Sequence, residues 1–285
     1  KYPDENIGKR LYQGIDLSVT YQDNIQDFNY FITANWSVVK SEVKFMDEQN
    51  VPWDYMRQTG NAVGATMGYI VDGIFQSQEE INDPKTAVRY GKTPIPGDLK
   101  YRDLNGDGVI NDFDKTIIAN DRPLGTLGLN LGFEYKGVEI SALFQAVYNR
   151  DINLNDAGRN EFTAGFWAER NGYNQAYEHI MNRWTPETAS TAMFPRLTTS
   201  SDYSYETSDF WFRSGNFIRL KNLQVAYTLP TSFSRNYLGG AKVKVFITGQ
   251  NLWTQAGCSL VDPEIVKFSD YPTMRGFNTG VNIKF

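Results

Sequence analysis

Seven segments of the chain alternate strictly between apolar and polar residues, which is the pattern of β-strands whose two faces meet different surroundings. In the first segment, Ile15, Leu17 and Val19 share one face, and polar or small residues occupy the other. The segments span residues 14–21, 28–38, 127–135, 138–145, 222–229, 242–250 and 277–285. The pattern predicts an all-β fold, but alone it fits a soluble β-sandwich as well as a membrane barrel.

The lengths of the connections distinguish between these two architectures. Residues 22–27 and Lys136-Gly137 form short connections, whereas residues 47–124 and 150–215 form long ones. Short turns on one side and long loops on the other are typical of outer-membrane barrels, with the turns in the periplasm and the loops outside the cell. The sequence therefore predicts about seven antiparallel strands from the C-terminal part of a large transmembrane β-barrel in a Gram-negative outer membrane, with a periplasmic C-terminus.

Aromatic residues fall near both ends of the predicted strands, as expected for rings at two membrane interfaces. The set near the turns comprises Tyr21, Phe28, Tyr30, Phe133, Tyr135, Tyr227 and Phe285. The set near the loops comprises Trp36, Phe144, Tyr148, Trp253 and Phe277. Because bacterial single-chain barrels have an even number of strands, from about 8 upward, we expect further strands to precede Lys1.

Composition and charge exclude several other classes of function. Aromatic residues make up 14% of the 285 residues and glycine contributes 24, a mixture that favours strands and turns. The formal net charge is −5 and no block of lysine or arginine occurs, so nucleic acid is not an expected partner. The single Cys258 cannot form an internal disulfide. The single His179 lies in a helix-like stretch and is expected to be structural rather than catalytic.

A twelve-residue loop with calcium-type spacing lies between the second and third strands. It reads DLNGDGVINDFD, and Gly108 occupies position 6, where such loops turn sharply. Oxygen donors fall at positions 1, 3, 5, 7, 9 and 12, which are Asp103, Asn105, Asp107, the carbonyl of Val109, Asn111 and Asp114. The spacing predicts a structural Ca²⁺ that would pin a long loop. The alternative is a rigid turn in which the side chains accept backbone amides without metal.

The long loops carry aromatic and acidic residues that could have a functional or a packing role. Five rings are candidates for contact with substrate or partner, namely Trp53, Tyr69, Phe75, Trp167 and Trp211. Packing within the loops is the alternative for each ring. The carboxylates that could in principle form a glycosidase pair are Glu79, Glu80, Asp202, Glu206 and Asp209. No second motif accompanies them, so we interpret them as solvated loop charge and expect no enzymatic activity.

Four blocks, in order, resemble the C-terminal region of SusC/RagA-type TonB-dependent transporters. The blocks read GATMGYIVDGIFQSQEEI, PGDLKYRDLNGDGVINDFDKTII, GNFIRLKNLQVAYTLP and KVKVFITGQNLWT, and a strand ending in Phe285 follows them. The resemblance runs from about Ile7 to Phe285. It implies a barrel of about 22 strands with an N-terminal plug, in the outer membrane of Bacteroidetes.

The resemblance also implies partners. A SusD-like surface lipoprotein would capture glycans or peptides, and TonB would supply energy through a segment near the mature N-terminus; neither that segment nor the plug is in this sequence. The leading interpretation is therefore import of oligosaccharides or peptides, this chain being the C-terminal barrel part. The second interpretation is a soluble all-β carbohydrate-binding module with a calcium loop. Dependence on detergent would distinguish the two.

Overall fold

The computed structural model describes residues 7–120, 124–154, 181–197, 203–265 and 271–285. The strands in these ranges are β1 (Gly8–Ile25), β2 (Phe28–Met46), β3 (Thr66–Gly68), β4 (Val71–Ile74), β5 (Val88–Arg89), β6 (Leu99–Tyr101), β7 (Val109–Ile110), β8 (Thr116–Ala119), β9 (Gly125–Tyr135), β10 (Val138–Tyr148), β11 (Asp151–Asn153), β12 (Phe212–Ser214), β13 (Phe217–Thr228), β14 (Lys242–Ala256) and β15 (Gly276–Lys284). The α-helices in these ranges are α1 (Gln78–Asn82) and α2 (Thr231–Tyr237), and short 3-10 helices lie at Asp54–Met56, Asp112–Asp114 and Asp209–Trp211.

Seven strands form one antiparallel sheet in the order β1-β2-β9-β10-β13-β14-β15. These are the seven strands that the alternation predicts, so the all-β prediction is confirmed. Consecutive sheet strands pair as neighbours, and the sheet does not close, because β1 and β15 remain at its edges. Strands β1 and β2 are 18 and 19 residues long, and both extend past the predicted segments at the end away from the turn that joins them. β1 also continues to Ile25, so the connection predicted over residues 22–27 is reduced to Gln26-Asp27.

Two of the three connections at one end of the sheet, which we call the turn end, are two-residue turns, and the third, residues 229–241 between β13 and β14, contains α2. Gln26-Asp27 connects β1 to β2, and Lys136-Gly137 connects β9 to β10. Lys136 and Gly137 both have positive φ, 47° and 83°, as a type I′ hairpin turn requires. The opposite end of the sheet carries the long connections, and we call it the loop end.

A bulge in β13 changes which residues of that strand face each side of the sheet. The register of β13 shifts between Leu220 and Asn222 against β14, and a shift also occurs against β10. Ile218 and Leu220 therefore lie on the same face as Val225, although the numbering changes from even to odd. The bulge explains why simple alternation locates this strand only from Asn222 onward.

The buried core lies in the loops rather than on the main sheet. Its largest buried apolar residues come from the two long connections, with Cys258 added from the β14–β15 connection. Four two-stranded sheets, β3-β8, β4-β6, β5-β7 and β11-β12, order these loops within the described ranges. In the same ranges, no second sheet covers the main one, as the packing of a soluble β-sandwich would require.

The helices of the structure are short. α1 has five residues and α2 has seven. No helix in the described part of the chain has the length and apolar character needed to cross a membrane.

Candidate membrane-facing surface and loop assembly

One face of the main sheet exposes its large apolar side chains. Ile15 is 59% exposed and Ile247 is 52% exposed, and the neighbouring residues on this face, such as Leu17, Val19 and Val281, are exposed as well. Monomeric soluble proteins rarely expose an apolar surface that runs across a whole sheet, because water penalises it. We call this surface the apolar face. It needs a covering layer, and lipid would supply one.

A row of aromatic rings follows the apolar face at the turn end. Phe28 lies at the centre of the row, with its ring centroid 5.8 Å from Tyr30, 5.5 Å from Phe133 and 6.3 Å from Tyr135. Tyr21 extends the row into β1, with 6.0 Å between its centroid and that of Tyr30. These rings come from three adjacent strands, so five of the seven rings predicted near the turns form one continuous row.

Two rings meet at the loop end of the same face. The indole Nε1 of Trp36 donates a hydrogen bond to the hydroxyl of Tyr148 at 2.8 Å. The Tyr148 ring lies across Gly125, where a Cβ atom would come within 2.0 Å of the ring carbon Cζ. Glycine is therefore required at this position for the ring to lie flat on the sheet. Amphipathic rings of this kind suit the boundary between lipid and water.

The apolar pattern changes sides above these two rings. On β2, apolar residues occupy even positions up to Val38, and then odd positions at Val39 and Val43. Val38 pairs with Ile15, and Val39 pairs with Gly14 on the next step toward the loop end. Above that step Val43 is buried beneath residues 60–63, whose backbone bonds to it. Above Val38 the even positions carry Lys40 and Glu42, so the face that is apolar below the inversion is charged above it.

The height of the apolar face agrees with the thickness of a membrane. Ten residue steps separate Phe28 in the lower aromatic row from Val38 at the inversion. At about 3.4 Å per residue these steps span about 34 Å along the strand. A strand tilt of about 40° reduces this length to about 26 Å along the membrane normal, close to the apolar band of about 25 Å in outer-membrane barrels. We call this part of the apolar face the apolar band.

The opposite face of the sheet is polar and forms its own hydrogen bonds. The hydroxyl of Ser18 donates to Asn35 Oδ1 at 2.8 Å, and the hydroxyls of Thr20 and Thr33 lie 3.1 Å apart. Farther along the sheet Lys244 forms an ion pair with Glu139. Paired polar groups can line a water-filled interior without a desolvation penalty. This polar face is therefore suited to the lumen of a barrel.

The two long loops pack together into one unit, which we call the loop assembly. Tyr69 joins them: its amide donates to the carbonyl of Thr207 at 2.9 Å, and its carbonyl accepts from the amide of Asp209 at 3.0 Å. The hydroxyl of Tyr101 donates to the carbonyl of Tyr203 at 2.7 Å. These bonds cross between the loops, so each loop depends on the other for its conformation.

Three of the five rings predicted to contact substrate or partner are buried in this assembly. Tyr69, Phe75 and Trp211 are at most 2% exposed, and the indole of Trp211 donates to the carbonyl of Ser204 at 3.0 Å. Their side chains cannot reach a ligand in this conformation, which corrects the expectation of direct contact for them. The physical reason is that loops of this length bury a core of their own, as the packing alternative states.

The remaining two rings differ. Trp53 is partly exposed, stacks on Tyr55 with 6.1 Å between ring centroids, and meets Phe113 edge-on at 5.4 Å. Phe113 belongs to the DLNGDGVINDFD loop, so Trp53 and Tyr55 link the start of the first long connection to that loop near its end. Trp53 therefore remains a candidate contact residue. Trp167 lies outside the described residues, as does His179.

The DLNGDGVINDFD loop is closed by hydrogen bonds to its acidic side chains. The two carboxylate oxygens of Asp103 accept the amides of Gly106 and Gly108, both at 2.7 Å. Asp114 is fully buried and accepts the amides of Leu104 and Asn111, both at 2.8 Å. This is the network that the metal-free alternative describes.

The donor residues predicted to bind calcium thus lie in one loop, but they face the backbone. Asn105 and Asp107 also bind backbone amides, at 2.9 and 2.8 Å, and Asn111 donates to the carbonyl of Val109 at 3.3 Å. Within the described ranges, no three carboxylate, imidazole or thiolate side chains gather as a metal-sized cluster. Calcium binding therefore stays a prediction.

The acidic loop residues with described side chains are mostly engaged in structural contacts. Glu206 forms an ion pair with Arg89 at 2.9 Å, and Glu80 with Lys100 at 2.9 Å. Asp209 accepts the amide of Val71 at 2.9 Å. Burial raises the pKa of Asp209 above its ordinary value, and its hydrogen bonds oppose that shift only in part. Glu79 is exposed, and Asp202 lies outside the described residues.

A buried charge network, which alternation does not reveal, fastens the β14–β15 connection to the polar face. Arg219 on β13 is 2% exposed and forms ion pairs with Asp262, at 2.8 Å, and with Glu264. Lys221 also pairs with Glu264 at 2.8 Å. Burial would raise the pKa of Asp262, but hydrogen bonds from the Glu264 amide and from Arg219 outweigh it, so this pKa is lowered.

The sequence of this chain is similar to those of known TonB-dependent receptors. No family model matches the sequence. The chain is 28% identical to "TonB-dependent receptor P3" of Formosa agariphila and 22% identical to "TonB-dependent receptor SusC" of Bacteroides thetaiotaomicron, in each case over 99% of this chain. The resemblance to SusC/RagA-type TonB-dependent transporters is confirmed.

Solved structures of RagAB have a fold similar to that of this chain. The structure of the RagAB peptide transporter superposes on 99% of the chain with a TM-score of 0.68 at 21% identity. A structure of the RagAB peptide importer in the closed-closed state gives a TM-score of 0.67 at 22% identity. At this identity the likeness shows the fold alone. It assigns the open seven-stranded sheet to part of a RagA/SusC barrel.

The SusC-like chain spans about three tenths of the proteins that it matches. The share is 29% for the Formosa receptor, 27% for SusC and 30% for the RagAB chain. These relatives are named as receptors and transporters, which supports a non-enzymatic function at the level of the family.

Proposed function

We propose that the chain is the C-terminal barrel region of an outer-membrane nutrient importer. The observation that carries this proposal is the apolar band, which is about 26 Å high by strand geometry and ends in aromatic rings on both sides. The polar face opposite would line the lumen. The names of the relatives support an importer over other membrane barrels.

The orientation in the membrane follows from the lengths of the connections. The turn end would face the periplasm, together with Phe285, and the loop assembly would lie outside the cell. The loop assembly has a buried core of its own, as a structure that projects into water needs. The localisation is accordingly the outer membrane of a Gram-negative bacterium.

The substrate class and the partners are inferred from the likeness to relatives. We propose uptake of oligosaccharides or peptides together with a SusD-like surface lipoprotein, driven by TonB through an N-terminal region outside this sequence. The similarity to SusC and to the RagAB peptide transporter supports this assignment. Within the loop assembly, Trp53 is the candidate ring that is both described and partly exposed, so it is our candidate for contact with substrate or lipoprotein.

The DLNGDGVINDFD loop would serve structure rather than transport. We propose that it takes up Ca²⁺ after Asp103, Asp107 and Asp114 rotate from their amide partners toward the ion. Its neighbours support a structural role, since Ile110 is buried and β7 pairs with β5. A bound ion would then lower the conformational freedom of the longest connection.

The test uses the full-length protein in its native host. We expect it to fractionate with the outer membrane, to require detergent for extraction, and to support growth on one class of glycan or peptide only when TonB is present. A matched strain with an intact barrel but no TonB is the control. Release into the aqueous fraction without detergent, in a folded monomeric state, would contradict the proposal.

A further inference from the structure

The helix α2 stands out at the turn end because almost all of it is exposed. It follows Pro230 in the connection between β13 and β14 and ends before Gly239-Gly240. Of its seven residues, Ser234 alone is buried. A seven-residue helix with one buried residue has little intramolecular packing to hold it. An additional surface is therefore needed to explain its apolar residues.

The apolar residues of α2 and its C-cap lie on one side of the helix. Phe233 and Tyr237 are one turn apart, their ring centroids are 4.9 Å from each other, and Tyr237 is 73% exposed. Leu238 follows within the same arc at about 100° per residue, whereas Ser232, Arg235 and Asn236 lie on the opposite arc. The helix is amphipathic: Ser234 lies within the apolar arc and is buried against the protein, whereas Phe233 and Tyr237 remain 45% and 73% exposed.

α2 lies at the same end of the sheet as the lower aromatic row. Tyr227 is the last ring of β13 before the connection, and it pairs with Val138, which pairs with Tyr135 of the row. Val243 on β14 shares the apolar face with Ile247, yet Val243 is 9% exposed and Ile247 is 52% exposed. α2 packs against β14, and the amide of Leu229 donates to the carbonyl of Val243 at 2.9 Å, which places the β13–β14 connection beside Val243.

Two cations lie near the rings at this end of the molecule. Arg235 lies on the polar arc of α2, whereas Lys242 and its pair partner Lys284 belong to the polar face of the sheet. Lys136 stands over the Tyr135 ring at 5.1 Å in the neighbouring turn. Lysine and arginine beside amphipathic rings are suited to the phosphate layer of a membrane.

We propose that α2 is an interfacial helix that inserts Phe233 and Tyr237 between the lipid headgroups and acyl chains of the turn-side leaflet. The inference rests on the proposed function, because it extends the apolar band beyond the strands. Short amphipathic helices with aromatic and cationic residues lie in the plane of such an interface. The helix would fix the height of β13 and β14 relative to the membrane.

Site-directed spin labelling of the full-length protein in phosphatidylethanolamine–phosphatidylglycerol bilayers tests this. Labels would be placed by Phe233→Cys and Tyr237→Cys, with Ser232→Cys as a matched control on the polar arc and Ile247→Cys as a reference on the apolar band. Cys258 can remain, because it is buried. We expect labels at 233 and 237 to be severalfold more accessible to oxygen than to a water-soluble nickel chelate, relative to 232. A Phe233→Trp variant quenched by brominated lipid gives a second readout without a label.

The outcomes separate this inference from the proposed function. Oxygen accessibility at 247 together with aqueous behaviour at 233 and 237 would overturn the role of α2 and leave the barrel proposal intact. Aqueous behaviour at 247 as well would overturn both. Equal lipid exposure at 232, 233 and 237 would also overturn the proposed one-sided insertion.

Discussion

A lysine at position 131 is expected to destabilise the protein far more than a lysine at position 130. Leu131 lies on the apolar face, paired with Ile32 and Ala142, and so falls about midway along the apolar band. Asn130 is its neighbour in sequence but points to the polar face, where it pairs with Thr33. The two variants introduce the same charge at nearly the same height and differ in the face that receives it.

The size of the difference follows from the depth of the site. A lysine on the lipid side of a barrel costs about 2–4 kcal/mol at the bilayer midplane, whereas a lumen position is tolerant. This cost corresponds to a loss of roughly 30- to 700-fold in the folding equilibrium constant. Leu131→Ala is the size control, since it removes the apolar side chain without adding charge.

The measurement is the free energy of unfolding of the full-length protein in lipid vesicles, followed by tryptophan fluorescence during denaturant titration. Heat-dependent mobility in detergent gels would confirm that each variant folds. Equal losses for Leu131→Lys and Asn130→Lys would refute the assignment of faces. A tolerated Leu131→Lys with a damaging Asn130→Lys would show that the apolar face lines the interior.

Three further predictions concern the loops. Asp114→Ala should lower the free energy of unfolding of the loop assembly by about 1–3 kcal/mol, because two backbone amides lose a buried acceptor. If calcium binds, calorimetry should show that chelation lowers the melting temperature of the wild type and leaves that of the variant unchanged. Because burial raises the pKa of Asp209, its protonated form is favoured on folding. Stability should therefore decrease as pH rises from the ordinary carboxyl range through the raised pKa. Asp209→Asn keeps an acceptor for Val71 and should remove this decrease in thermal melts between about pH 4 and 8. The same pH profile in the variant and the wild type would refute the role of Asp209. Arg219→Met should cost about 1.5–3 kcal/mol through its lost charged hydrogen bonds, and adding Asp262→Asn should recover part of it; no recovery in denaturant titrations would argue against the ion pair.

Local patterns predicted the sheet well because each strand carries its own signal. Alternation depends on residues two apart, and it located all seven strands of the main sheet. It failed where the backbone departs from regular geometry, as at the bulge beside Leu220, because one extra residue reverses the faces. It also stopped at Val38, although β2 continues to Met46, since the apolar side changes where the surroundings change.

The functions of the loop residues could not be predicted in the same way. Exposure of Tyr69 or Trp211 depends on a second loop, and the bond from Tyr101 to Tyr203 joins residues 102 apart in sequence. The sequence pattern did not indicate the role of Arg219 either, because a charged residue at a polar position of an alternating strand is ordinary. Its role depends on Asp262, 43 residues away in the next connection but one.

The sequence by itself determined the strands, their two faces, the asymmetry of the connections and the spacing of the acidic loop, because these properties are local or periodic along the chain. Only the tertiary structure decided which rings are buried, how the acidic side chains are used and where the apolar band ends. Those properties depend on contacts between distant segments, and the free energy of burial is determined by neighbours that the local pattern does not contain.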